Sequence, residues 1–574
     1  MSAPLAAHPR TVSEAFLTVL TDRGVEWIFG NAGTDFAPVI EALAANADGP
    51  LSMPRTVEVL HETVATSMAH GYWLMTGRPQ CVMVHVNVGV ANSLMGLMNA
   101  SRGRVPILFA SGRTPITEQG RLGSRNAPIH WGQEMFDQGG VVREFVKWDY
   151  ELRAGEQVVD QVDRALAIAQ AQPAGPVYLS LPREVLADAL PEGFTLGERS
   201  VESPAPPHPD PAAVEAAARL LAKAEAPLVI TSGGGPDLFD ALGPAADRFA
   251  LPVVQFWRTS VAISTEHPMY AGENPAELLG KSDCVVVIDS MVPWVPNAMR
   301  PRPDARLIQI GPDPLFSGTP VRSFRSDVTI TSAASAGLEA LAAELDRIGF
   351  ADADPTQRRR AALAAELRTR RDREVATGHD PGGQPMSPEF MSGTLSEIIG
   401  SDATVVNELG LAPAVMSFTG PRSFFGPAIS GGLGWGGGAA LGAKLADPSR
   451  LVIWATGDGS YVFSNPLAVH HGAASLGLGL LTVIADNRVW NAVRRSTLAV
   501  YPEGAAARVA RMPLSSLEPV PDYPKLVEAY GGHGQHVNEP DELRPALEQA
   551  IDVCRSGRQA LVSVHVSYPD TAIH

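Results

Sequence analysis

The sequence predicts an α/β protein of three domains with parallel sheets, two outer domains flanking a middle one. Three observations carry this expectation. Short β-rich runs alternate with Ala-rich helical stretches through most of the chain, the pattern of parallel sheets covered by helices. The 574 residues exceed what a single core holds, at roughly 100 to 200 residues per domain. Two stretches without periodicity divide the chain: "SVESPAPPHPDP", from residue 200, reads as a Pro-rich linker, and 351–385 turns charged and then loop-like. The expected domains are 1–195, 208–348 and 380–574.

In the first block "VEWIFG", "CVMVHV", "VPILFAS" and "PVYLSLP" have the length and apolar content of buried strands. Between the first two, "VLHETVATSMAHGYW" (59–73) reads as a helix carrying His61 and Glu62. The pair opens like the H-E-x-x-H metal motif, but Ala65 stands where the second His belongs. His70 lies about two and a half turns beyond His61 and points elsewhere, so the zinc reading fails. Ala65, Thr66 and Ala69 leave a face that something can approach closely. The second block has strands at "APLVITSG", "LPVVQFW", "CVVVIDS" and "RLIQIG". Its "TSGGGPD" (231–237) is a nucleotide-like loop for which a helix-packing turn is the commoner cause. The Arg-rich "TQRRRAALAAELRTRRDREVATG" alternates charge at helical spacing and predicts a solvated connecting helix. The third block has strands at "TVVNELG", "RLVIWATG", "LLTVIAD" and "ALVSVHVS".

The net charge is −17 with no basic run, which disfavours a nucleic-acid or anionic-membrane surface. Cys81, Cys284 and Cys554 sit far apart in apolar surroundings, without a C-x-x-C pair, and read as reduced core residues. The opening "MSAPLAAHPR" lacks the apolar region of a signal peptide, and no run approaches the ~18 apolar residues of a membrane span. A cytoplasmic location is expected.

"LVIWATGDGSYVFS" (451–464) is an apolar strand ending in Gly457, Asp458, Gly459 and Ser460 before a helical pattern. Ligands of α/β proteins bind at the carboxyl edge of the sheet, where Gly residues let backbone N–H groups approach an anion. An Asp there repels a bare phosphate but suits a divalent cation bridging to one. After the 26 residues 460–485 that follow Gly459, one helix and one strand, Asp486-Asn487 returns to the same edge, where Asn487 can offer another oxygen. Metal plus diphosphate is the natural ligand.

These residues resemble the G-D-G to N-N signature of thiamine-diphosphate-dependent enzymes of the acetolactate synthase, benzoylformate decarboxylase and pyruvate oxidase superfamily, with Asp486 in place of the first Asn. The likeness extends to "SGGLGWGGGAALGAKLADPSRLVIWATGDGS", "NELG" (407–410), "FGNAGTDFAPVIEAL", "RGRVPILFASG" and "GQEMFDQGGVVREFVKW". It implies an N-terminal pyrimidine-binding domain, a central Rossmann-like α/β domain and a C-terminal diphosphate-binding domain. It implies thiamine diphosphate and Mg²⁺ as cofactors, the metal held by Asp458, Asn487 and the backbone carbonyl of Val489. Gly410, Leu411, Gly457, Gly459, Ser460 and Trp490 fall on the cofactor side, and Leu433 where a bulky apolar residue wedges under the thiazolium. Glu62 falls where the family keeps its one indispensable carboxylate, hydrogen-bonded to the cofactor's pyrimidine and contributed by a partner subunit. His85 aligns with a His beside the reacting carbon, Thr34 with a Ser contacting the substrate carboxylate, and Gln133 with a cleft Gln.

The resemblance therefore implies C–C bond cleavage or formation on a 2-oxo acid, by decarboxylation, carboligation or both. The partners are a small 2-oxo acid or aldehyde and a second copy of the chain, a homodimer at minimum and a homotetramer by the family's habit; neither nucleic acid nor membrane is expected. A 2-hydroxyacyl-CoA lyase is the alternative within the same chemistry, though Arg300, Arg302, Arg306 and Arg322 are too scattered to show its nucleotide pocket. A non-catalytic binding protein of this fold is the other; retention of Glu62, Leu433, Asp458 and Asn487 together argues against it. FAD is not expected, because the stretch that holds it in acetolactate synthases reads "DSMVPW" here.

Overall fold

The computed structural model describes residues 8–568; the opening residues, expected to carry no leader, fall mostly outside that range. Three parallel sheets form the frame. The first holds β1 (Trp27–Asn31), β2 (Arg55–Glu58), β3 (Cys81–Val84), β4 (Leu108–Arg113), β5 (Asp149–Glu151) and β6 (Val177–Pro182), in the order β2-β1-β3-β4-β6-β5. The second holds β7 (Pro227–Thr231), β8 (Val253–Gln255), β9 (Cys284–Ile288), β10 (Arg306–Gly311) and β11 (Val328–Thr331), in the order β11-β10-β9-β7-β8. The third holds β12 (Thr404–Glu408), β13 (Phe424–Phe425), β14 (Val452–Gly457), β15 (Leu480–Asp486), β16 (His533–Val537) and β17 (Ala560–His565), in the order β13-β12-β14-β15-β17-β16.

By compactness the chain divides into two units. One comprises Met1–Ala205, Ala428–Ser449 and Val462–Leu478; the other comprises Pro206–Pro427, Arg450–Tyr461 and Gly479–His574. The fold class is the one the alternating pattern predicts. Every residue of β3, β6, β7, β9, β12 and β15 is buried, because helices cover both faces of a parallel sheet. Cys81, Cys284 and Cys554 are free and buried, as read.

In the first unit the helix Glu62–Thr76 lies against the glycine-rich helix Trp435–Ala446. That second helix comes in over Val64, Ser67, Met68 and Gly71, whereas Thr66, on the small face read from the sequence, meets Gly96 instead. A Cβ on Gly442 would stand 2.0 Å from the Met68 carbonyl oxygen, and one on Gly71 would stand 1.9 Å from that of Ala439. Only residues without a side chain permit this approach. In the second unit the Arg-rich segment is the helix Asp354–Thr377, with only Thr356, Leu367 and Arg371 buried. Arg371 departs from the solvated pattern: it donates to the carbonyls of Ala414 and Met416, the latter at 2.6 Å. Among the described residues no helix is long and apolar enough to cross a membrane.

Candidate active site

His61 lies just outside the helix on which the sequence places it. It is the N-cap of Glu62–Thr76, extended at φ −150°, and its Nδ1 accepts the Thr63 N–H at 3.3 Å. That gives it the satisfying role of a capping side chain. His70 is a core histidine, edge-on to Trp435 with 5.3 Å between ring centroids, and burial pushes its pKa down to about 3. A zinc site is thus absent from both.

Glu62 occupies the first helical position and is only 7% exposed. Its Oε2 accepts from Asn92 Nδ2 at 3.1 Å, and Thr63 Oγ1 in turn donates to the Asn92 carbonyl at 2.7 Å. Asn92 lies on the helix Val86–Arg102 that follows β3. A buried carboxylate needs such a partner, and nothing in the local sequence around Asn92 announces it. Asn99, two turns along the same helix, accepts from Ser430 Oγ at 2.5 Å and donates to the Gly432 carbonyl at 2.9 Å. It thereby fixes the segment that carries half-buried Leu433.

His85 directly follows the first-unit strand β3 and is the N-cap residue of that helix. Its Nε2 lies 3.3 Å from Gln133 Nε2, so the structure brings these two predicted residues together. Gln133 Oε1 is buried without a hydrogen-bond partner among the described residues. Thr34 is exposed, and its carbonyl accepts from Arg183 at 3.2 Å.

In the second unit β14 and β15 are parallel neighbours, with Gly457 in register with Ala485. Their carboxyl ends therefore bring Asp458 and Asn487 to one edge. Asp458 is 3% exposed; its Oδ1 accepts the Gly459 N–H at 2.8 Å and its Oδ2 the Arg488 N–H at 2.6 Å, tying the two loops together. Asn487 Oδ1 accepts the Val489 N–H at 3.0 Å, and the Val489 carbonyl accepts the Asn491 N–H at 2.8 Å. Each of these oxygens keeps a second lone pair. The Trp490 ring covers Gly459, where a Cβ would stand 2.3 Å from it. On the neighbouring strand β12, Asn407 Oδ1 accepts the N–H groups of Gly410 and Leu411 at 3.1 and 2.9 Å, closing the loop that leads away from the edge. Ser460 is buried beside Asp458.

Asp486, the departure from the expected Asn, is 4% exposed and its Oδ1 has no hydrogen-bond partner among the described residues. Its nearest cation, Arg488 Nε, stands 3.9 Å from Oδ2. Burial raises the Asp458 carboxyl to about 7, and the Asp486 carboxylate acts in the same direction. Two buried carboxylates without a close countercharge, next to amide and carbonyl oxygens with spare lone pairs, are donors that fit a hard divalent cation. Among the described residues no cluster of three His, Cys, Asp or Glu could hold a metal, so the remaining positions of such a site fall to amide, carbonyl and ligand oxygens.

The glycine loop after β7 is filled from within. Ser260 Oγ accepts the Gly234 N–H at 2.9 Å and donates to its carbonyl at 2.8 Å, and a Cβ on Gly234 would meet Leu238 at 2.5 Å. It is a helix-packing turn.

Comparison with known proteins places these residues in a family. Family models for thiamine pyrophosphate enzymes match residues 10–141 as the N-terminal TPP binding domain, 214–341 as the central domain and 409–564 as the C-terminal TPP binding domain. The chain is 26% identical to sulfoacetaldehyde acetyltransferase of Rhodobacter capsulatus, covering 97% of this chain and 94% of that protein. It is 27% identical to benzoylformate decarboxylase of Pseudomonas aeruginosa, over 94% and 97% respectively. The fold matches that of the thiamine diphosphate-dependent 4-hydroxybenzoylformate decarboxylase of Rhodococcus jostii at a TM-score of 0.76, with 24% identity over 98% of this chain and 100% of that one. The signature loops, the fold and the three domain matches agree: the chain belongs to the thiamine-diphosphate-dependent enzyme superfamily.

Proposed function

We propose that this enzyme cleaves or forms a C–C bond on a 2-oxo acid with thiamine diphosphate and Mg²⁺, by non-oxidative decarboxylation, acyloin carboligation or both. The observation that carries this reading is the paired loop at the carboxyl edge of β14 and β15, where backbone N–H groups fix Asp458 and Asn487 beside a second buried carboxylate. Asp458, Asn487 and the Val489 carbonyl are assigned the metal. Gly410, Leu411, Gly457, Gly459 and Ser460 are assigned the diphosphate side, Trp490 the cofactor and the substrate pocket beside it, and Leu433 the support beneath the thiazolium.

When bound, thiamine diphosphate supplies an electron sink for the pair released as the substrate bond breaks. Glu62, oriented by Asn92, holds a proton shared with the pyrimidine ring. His85, with Gln133 against its Nε2, moves a proton on the substrate side, and Thr34 orients the substrate carboxylate. Glu62 is assigned to the site of a partner subunit, which makes a homodimer the smallest active form and a homotetramer the expected one. The domain bounds 1–195, 208–348 and 380–574 accompany this assignment.

The 2-hydroxyacyl-CoA lyase reading needs cations free to hold a nucleotide, and the central arginines are engaged locally. Arg302 pairs with Asp304 and Arg306 with Asp327, Arg300 donates to the Pro296 carbonyl, and Arg322 donates to the carbonyls of Ser290, Met291 and Pro314. This supports the 2-oxo acid reading. The test is to incubate the Mg²⁺ and thiamine diphosphate holoenzyme with a panel of 2-oxo acids including benzoylformate, with sulfoacetaldehyde, and with 2-hydroxyacyl-CoAs, following CO₂ and aldehyde. Turnover of at least one 2-oxo acid is expected; turnover of none would overturn the proposal.

A further inference from the structure

Asp35 is a buried carboxylate beside the predicted residues of the first unit. It sits in the helical turn Thr34–Phe36, immediately after Thr34, and is 2% exposed. Its Oδ1 stands 2.5 Å from His85 Nδ1, and its Oδ2 accepts the Val86 N–H at 3.1 Å. It therefore caps the helix Val86–Arg102 from outside while gripping the ring that precedes it. The fit is close on both sides: a Cβ on Gly33 would stand 2.0 Å from His85 Nδ1, and one on Gly112 would stand 1.8 Å from Asp35 Oδ2. Val86 takes φ +30°, a strained value for a β-branched residue, in the step that separates His85 from its helix.

An ionised carboxylate only accepts hydrogen bonds, so the His85 nitrogen facing Asp35 carries the hydrogen and Nε2 is left to face Gln133. The other charged groups around this cluster, Arg113, His130 and Arg183, line a narrow crevice together with Thr34, Asp35 and Gln133. None of them competes for Nδ1. Arg113 is held by Glu134 and Glu151, and Arg183 by the carbonyls of Gly123, Thr34 and Ser124. His130 is kept below the ordinary histidine range by burial first, then by Arg183 and Arg125.

We propose that Asp35 is a positioning residue: it holds His85 in the Nδ1–H tautomer, so that a bare Nε2 is presented beside Gln133 to take up and return the substrate-side proton. The inference rests on the proposed function for the role of that proton, but the tautomer itself is a property of the protein. The discriminating variant is Asp35→Asn. Its carbonyl oxygen can still accept the Val86 N–H, while its amide N–H turned toward Nδ1 requires that nitrogen to be bare and moves the hydrogen to Nε2.

The experiment is nitrogen NMR of ¹⁵N-histidine holoenzyme, with the His85 signals assigned by their loss in His85→Gln. The wild type is expected to show protonated Nδ1 and bare Nε2, and Asp35→Asn the reverse. Turnover of the best panel substrate should fall about a hundredfold with cofactor affinity unchanged. A wild-type spectrum with the hydrogen on Nε2, or a variant with the wild-type tautomer and turnover, would overturn the proposal. If no panel substrate turns over, the functional reading fails while the spectrum still decides the tautomer.

Discussion

Burial holds the Asp458 carboxyl above the ordinary carboxylate range, at about 7; the adjacent Asp486 carboxylate adds to the shift, and the N–H bonds from Gly459 and Arg488 oppose it. The folded apoprotein thus binds this proton more tightly than the unfolded chain does. The associated stability is fully present below the ordinary Asp range near 4 and is lost as pH rises through about 7. A cation on the same oxygens requires the ionised form, so metal binding strengthens over the same window. The thermal stabilisation conferred by Mg²⁺ and thiamine diphosphate should therefore grow between about pH 5 and about pH 8, and Asp458→Asn should abolish most of it at either end. Differential scanning fluorimetry at the two pH values checks both statements. As candidates, Asp458 and Asn487 are legible in sequence from the spacing of their two loops, and Glu62 only from the family resemblance. Asn92 and Asp35 are not: their partners lie 30 and 50 residues away, and only the packing of one helix and one turn brings them together.

The same division runs through the elements. The strands that the sequence misses are β2, β5, β11, β13 and β16, and each is at an edge of its sheet. Interior strands read as continuous apolar runs, whereas β2 buries only Val57 and β16 only Val537. Of the edge strands only β8 is legible, within the apolar run "LPVVQFW"; β13 is buried as well but only two residues long. The glycines of the helix Trp435–Ala446 serve packing, since they admit the helix Glu62–Thr76. Gly442→Val should therefore destabilise the protein by about 3 kcal/mol, because the Met68 backbone that it meets cannot swing aside. As a control, Gly280→Ala, in the helix Ala276–Lys281 with open space around its Cβ, should stabilise by about 0.8 kcal/mol. Urea unfolding of the two variants reads both signs.

At the scale of the whole molecule, the three parallel sheets, the domain matches and the signature loops describe one enzyme family, while the pairing of Glu62 with the Asp458 loop belongs to the proposed oligomer. Glu62→Gln and Asp458→Asn homo-oligomers should each be inactive. If each site draws Glu62 and Asp458 from different chains, re-equilibrated mixtures of the two should recover about a quarter of wild-type turnover, because mixed dimers then contain one intact site. If each site draws both from one chain, no mixed dimer has an intact site and turnover stays near zero. Upstream of any substrate stands the ionisation of the cofactor itself, for which Glu62 is assigned the controlling proton. The most direct measurement is hydrogen–deuterium exchange at C2 of enzyme-bound thiamine diphosphate, quenched and read by proton NMR, in wild type and Glu62→Gln with Mg²⁺ saturating. The wild type should accelerate exchange over free cofactor, and the variant should lose at least about a hundredfold of that acceleration; equal exchange rates in the two proteins would contradict the assignment of Glu62.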